Sequence, residues 1–62
     1  MQLIPISEVA RMTSLGRSTI YRYINEGSFP KQVSLGGKRS SWVVGEVVEW
    51  IEARIAERDS FQ

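Results

Sequence analysis

Apolar side chains recur along this chain first with the period of a helix, then with that of a strand, then with that of a helix again. From Ser7 to Thr13, Val9, Ala10 and Met12 face one way while Glu8 and Arg11 face the other. The Ser7 hydroxyl is placed to cap this first helix. Thr13-Ser14-Leu15-Gly16 interrupts the pattern, and Leu15 is expected to pack in the angle between two steeply crossing helices. The second helix begins at or just after Gly16. Ile20 and Ile24, with Tyr23 beside them, form its dry side, and Ser18 and Arg22 point almost directly opposite. Asn25-Glu26-Gly27 ends it, with Gly27 suited to a left-handed terminal position, and Pro30 prevents its resumption.

After Phe29-Pro30 the period changes to two. Val33 and Leu35 alternate with Gln32 and Ser34, and Trp42 and Val44 alternate with Ser41 and Val43. Gly36-Gly37 between them predicts a tight hairpin with Lys38 and Arg39 at its tip. Gly45 is expected to end the second strand and open a third helix from Glu46 to about Arg58, whose stripe of Val47, Val48, Ile51 and Ile55 the core should consume. Trp42 and Trp50 are expected in that core, and Asp59-Ser60-Phe61-Gln62 is expected to fray. The fold class is therefore mainly α with a small β-hairpin, in the order of a winged helix-turn-helix: helix, turn, helix, two-stranded wing, third helix.

Sixty-two residues are enough for one small domain, residues 1–62. The chain has no cysteine and no histidine, which excludes disulfides, thiolate nucleophiles, zinc-finger ligation and imidazole catalysis. No pairing of the remaining carboxylates and hydroxyls marks an active site, so an enzyme is not expected, nor is a cofactor or a small-molecule ligand. The first residues lack a basic and apolar leader, and no run approaches the roughly 18 apolar residues needed to span a bilayer. A cytoplasmic protein is expected.

The net charge of +1 hides an asymmetry. From Arg11 to Arg39 six bases (Arg11, Arg17, Arg22, Lys31, Lys38 and Arg39) face the single acid Glu26, whereas from Gly45 onward five acids face two arginines. The first half attracts polyanions. On the second helix Arg17, Ser18, Thr19, Tyr21 and Arg22 form an outer face of guanidinium, hydroxyl and phenol groups that can donate to phosphate oxygens and base edges. An ordinary solvated helix would carry Glu and Lys in paired spacing, and this one has no acid before Glu26. Arg22 is the candidate for a base contact, Lys38 and Arg39 for a wing on phosphates or in a minor groove, and Arg11 and Lys31 for backbone support. Tyr23 is assigned to packing and the Glu46, Glu49 and Glu52 row to solvent. Gly36-Gly37-Lys38 lacks the spacing of a phosphate-cradling NTPase loop.

Several ordered segments also carry a resemblance. Ser7-Glu8-Val9, Gly16-Arg17-Ser18-Thr19-Ile20-Tyr21-Arg22, Gly27-x-Phe29-Pro30, Leu35-Gly36-Gly37-Lys38-Arg39, Trp42 and Glu46-Val47-x-x-Trp50-Ile51 together resemble the AlpA family of phage and genomic-island regulators. That family is similar to the DNA-binding domains of MerR-type activators and to phage excisionases. Gly16, where a Ser cap is expected, and the polar Arg39-Ser40-Ser41 before Trp42 depart from the pattern. The resemblance implies a regulator of a prophage or integrated island that binds double-stranded DNA and controls a promoter. An excisionase-type architectural factor at attachment sites is the alternative within the class, and a protein-interaction adaptor the alternative outside it. One small module reads few base pairs, so self-association or cooperative binding on DNA is expected.

Overall fold

A computed structural model describes residues 1–60. It consists of three helices and a small antiparallel sheet in the order β1 (Leu3–Ile4), α1 (Ile6–Thr13), α2 (Arg17–Asn25), β2 (Val33–Ser34), β3 (Ser40–Val43) and α3 (Val44–Asp59). The fold class read from the sequence holds: mainly helical with a hairpin, in the arrangement of a winged helix-turn-helix. The hairpin, however, is not two-stranded in isolation. Leu3 and Ile4 pair with Val43 and Trp42, so β3 lies in the centre of a sheet ordered β1-β3-β2. A strand of two residues has no period to read, which is why the pattern along the chain does not predict it.

The helix ends obey local chemistry, though not always at the residues expected. Pro5, extended at φ −78° and ψ 169°, takes the cap position of α1, and its carbonyl accepts from Glu8 N (3.0 Å) and Val9 N (3.1 Å). Ser7 is therefore inside the helix and caps nothing through its side chain. In the turn that follows, Ser14 rather than Gly16 adopts the left-handed conformation (φ 61°). Thr13 makes this possible: its Oγ1 donates to Val9 O (2.9 Å) and accepts from Leu15 N (3.3 Å), fixing the chain on both sides of Ser14. Leu15 packs against the core as expected.

Gly27 does take the left-handed position after α2, at φ 79°. Gly27 N donates to Ile24 O (3.0 Å) and Ser28 N to Tyr23 O (2.9 Å), the paired bonds that satisfy the last carbonyls of a helix. At the hairpin, Gly36 and Gly37 both have positive φ, and Leu35 N closes the turn on Arg39 O at 2.9 Å. Strand pairing is limited to Val33 with Ser41 and Ser34 with Ser40. The chain then enters α3 without a loop. Val44, not Gly45, is its first residue, because Val44 N is already held by Gln2 O (2.9 Å) on β1. The helix continues through Asp59, and Ser60 closes it with N to Ala56 O (3.0 Å) and Oγ to Glu57 O (2.9 Å), so Asp59 and Ser60 are ordered rather than frayed. Phe61 and Gln62, the rest of that expectation, lie outside the described residues.

Among the described residues seven side chains form the buried core: Ile4, Val9, Ile20, Ile24, Phe29, Trp42 and Val47. Every element except β2 contributes to it or stands beside it. Trp50 is partly buried at its edge, with Phe29 edge-on at 4.9 Å, and its Nε1 donates to Ser28 O (2.6 Å). The α3 stripe is not consumed as expected. Val47 is fully buried, but Val48, turned about 100° away from it on the helix, is 39% exposed, and Ile55 is 45% exposed, in the stretch from Glu52 onward where every described residue is exposed. No helix among the described residues is long and apolar enough to cross a membrane.

Trp42→Ala is expected to cost about 3–5 kcal/mol, comparable with the whole stability of a domain this small, so its thermal transition should vanish. Gly16 caps α2 with no side-chain hydrogen bond, at φ −71° and with open space around its Cα. Gly16→Ser should therefore stabilise by about 0.5 kcal/mol, read as a higher urea midpoint with unchanged slope.

Candidate nucleic-acid interface

Burial of Ile20 and Ile24 sets the rotation of α2, and that rotation decides which side chains face solvent. Arg17, Ser18, Tyr21 and Arg22 are exposed, while Thr19 is partly buried at the flank. Tyr23 turns toward the core and lies 6.4 Å from Trp50. The Arg22 guanidinium rests over the Tyr23 ring at 5.4 Å, a cation–π contact that orients the group and leaves its N–H donors unspent.

The distribution of ion pairs sharpens the charge asymmetry of the sequence. Arg11, Arg54 and Arg58 are paired with Glu8, Glu57 and Asp59 respectively. Among the described residues, Arg17, Arg22, Lys31, Lys38 and Arg39 have no carboxylate within ion-pair distance. All five fall between residues 17 and 39. None of the five is neutralised by an ion pair, so their charge can act on an external polyanion.

Both residues expected to support a backbone contact have acids beside them, Arg11 in an ion pair and Lys31 across a shared hollow. Arg11 grips Glu8 with both Nε (2.9 Å) and a terminal nitrogen, which lowers the Glu8 carboxyl from its ordinary pKa and raises that of Arg11. A phosphate would have to displace this partner, which the spacing of the two residues on one helix could have signalled. Lys31 is exposed but shares a surface hollow of about 480 Å³ with Glu46 and Glu49, which offset its field.

The structure also shows a link that local pattern does not reveal. Tyr21 on α2 meets Trp42 on β3 edge-to-face, with centroids 6.1 Å apart and planes at 62°. Trp42 is anchored in turn by its Nε1, which donates to Pro30 O (3.2 Å). Tyr21 is 41% exposed, so one ring serves both as an outer-face residue of α2 and as its strut to the hairpin. Lys38 and Arg39, both exposed, stand on the turn that leads into that same strand.

A helix-turn-helix followed by a hairpin, with the unpaired cations of the described residues confined to the second helix and the segment through the hairpin, is the arrangement of a small winged helix-turn-helix module with one basic face. The chain belongs to the AlpA family: residues 2–55 match the family model described as Prophage CP4-57 regulatory protein (AlpA). It is similar to uncharacterized protein ORF88 of Enterobacteria phage P4, with 47% identity over 57 residues, 92% of this chain and 65% of that protein. It is also similar to the DNA-binding transcriptional activator AlpA of Escherichia coli (strain K12), with 30% identity over 60 residues, 87% of this chain and 86% of that protein. The chain thus spans 65% of the length of the phage P4 relative and most of the bacterial one.

Because Tyr21 meets Trp42 through its ring, the ring matters more than the hydroxyl for stability. Tyr21→Phe is expected to stay within about 0.5 kcal/mol of the parent in chemical denaturation, whereas Tyr21→Ala should lose about 1–2 kcal/mol through the aromatic contact and the area it covers.

Proposed function

We propose that this chain is a transcriptional regulator of a prophage or integrated mobile element, acting as a single winged helix-turn-helix module that binds double-stranded DNA. In it α2 enters the major groove and the hairpin lies alongside as the wing. The supporting observation is the segregation of unpaired cations: the basic residues without a carboxylate partner are those of α2 and of the segment through the hairpin, while those outside are neutralised within the chain. Membership of the AlpA family, and the DNA-binding activator among its relatives, point the same way. The activity is one of binding, and no catalytic step is invoked.

Arg22 reads a base edge, held over Tyr23 so that its planar fork is presented with little rotamer freedom left to lose. Arg17, Ser18, Thr19 and Tyr21 contribute further contacts to bases or phosphates. Lys38 and Arg39 bind phosphate or the adjacent minor groove. Register comes from the backbone contacts and sequence preference from α2.

Selection of bound fragments from a random duplex library should yield a defined motif, on which the variants can then be titrated. Arg22→Ala should weaken binding to that motif by about 1–3 kcal/mol and relax the preference at one position. Lys38→Ala should weaken all duplexes alike and reduce the salt slope by about one. Unchanged motif affinity in Arg22→Ala would overturn the assignment of α2 as the reading element. Failure of the parent chain to bind duplex at low salt would overturn the function itself.

A further inference from the structure

The apolar line of α3 outlasts the core it helps to build. Val48 and Ile55 remain 39% and 45% exposed, and Ile51 is only partly buried. Between the outer half of α3 and the turn joining α1 to α2 lies a groove of about 330 Å³, with Met12 and Leu15 on one side and Ile51 and Ile55 on the other. Arg54 and Arg58 line it with exposed side chains. The groove asks for an occupant that is apolar along one edge and acidic beside it.

We propose that the occupant is a second copy of this chain, the two α3 helices lying parallel about a two-fold axis. At about 100° per residue, and measured from the line through Val48, Ile51 and Ile55, Arg54 and Arg58 fall roughly 50–90° to one side and Glu52 and Asp59 roughly 50–70° to the other. In a parallel pair each helix turns its basic flank toward its neighbour's acidic flank, and the i to i+5 spacing places Arg54 of one copy against Asp59 of the other. An antiparallel pair would set arginines against arginines and acids against acids. The exposed edge bearing Val48, Glu52, Ile55 and Asp59 is the apolar and acidic surface that the groove requires. Each copy thereby fills the other's groove, as a two-fold contact demands.

The ion pairs now made within each copy, Arg54 with Glu57 at 3.5 Å and Arg58 with Asp59 at 2.9 Å, are exposed and exchange readily for pairs between copies. A contact of one helix edge falls short of the ~1,600 Å² of a standard interface, so free copies associate weakly, and two modules held on one duplex associate far more readily. Pairing of this kind needs no DNA, and it stands or falls separately from the proposed function.

Sedimentation equilibrium of the whole chain without DNA, over a concentration series up to about 1 mM, tests it. The parent is expected to show a reversible monomer–dimer equilibrium. Ile55→Glu, at an exposed position, should keep the parent circular dichroism and weaken the dimer by at least about tenfold. Arg54→Asp and Asp59→Arg should each weaken it, and the double variant should return to within about threefold of the parent. A monomeric mass throughout, a dimer indifferent to Ile55→Glu, or a double variant no better than its parents would overturn the proposal.

Discussion

The packing of one indole holds this small fold in its functional shape. Trp42 is 1% exposed at the centre of the sheet, faces Ile4 across the β1 pairing, donates its N–H to Pro30 O and meets Tyr21 edge-on. Each of these contacts comes from a different part of the chain: the first residues, the segment after α2, and α2 itself. Without it Ile4 loses its cross-strand partner, the segment after α2 loses its hydrogen bond to β3, and α2 loses its aromatic contact with that strand. With only seven buried side chains among the described residues, an indole that joins three segments carries a large share of the packing.

On that framework the charges are sorted. Outside residues 17–39 each cation, Arg11, Arg54 and Arg58, is matched with a carboxylate in an exposed short-range pair, which contributes little to stability but neutralises its field, and Glu46, Glu49 and Glu52 are left over as net acid. Within residues 17–39 the cations have no such partners, and Glu26 is the one acid there. A surface that leaves several guanidinium and ammonium groups unmatched gains most when a polyanion supplies the missing charge and releases its own counterions. Arg22 shows the same economy at the level of one side chain, because the Tyr23 ring orients it without consuming a donor.

The third helix has two unlike halves. Its first turns, through Val47 and Trp50, close the core and brace Phe29, while every residue from Glu52 to Ser60 is exposed. The helix continues this far past the core and leaves Val48 and Ile55 exposed. Its two flanks carry opposite charge, and they complement a second copy only in one relative direction.

Much of this was legible residue by residue. The dry seam of Ile20 and Ile24, the outward Arg17, Ser18, Tyr21 and Arg22, the left-handed Gly27, the Gly36-Gly37 hairpin turn and the buried Trp42 follow from side-chain period and allowed φ, which neighbouring residues dictate by themselves. Other features are decided by segments distant in sequence or by competition among near neighbours. Leu3 and Ile4 become a strand because β3 offers them an edge, and Val44 enters the helix early because Gln2 holds its N–H. The Thr13 hydroxyl bonds on both sides of the turn, and Ser14, not Gly16, bends it. Tyr21 becomes a strut, and Val48 and Ile55 stay uncovered, only once the elements are docked. Local chemistry thus settled which helices and turns this chain makes and which face of α2 looks outward, because those choices involve neighbours a few residues apart. What joins that face to the hairpin, and what the core leaves bare, required the packed molecule, because contacts between distant segments exist only when the whole chain has closed around them.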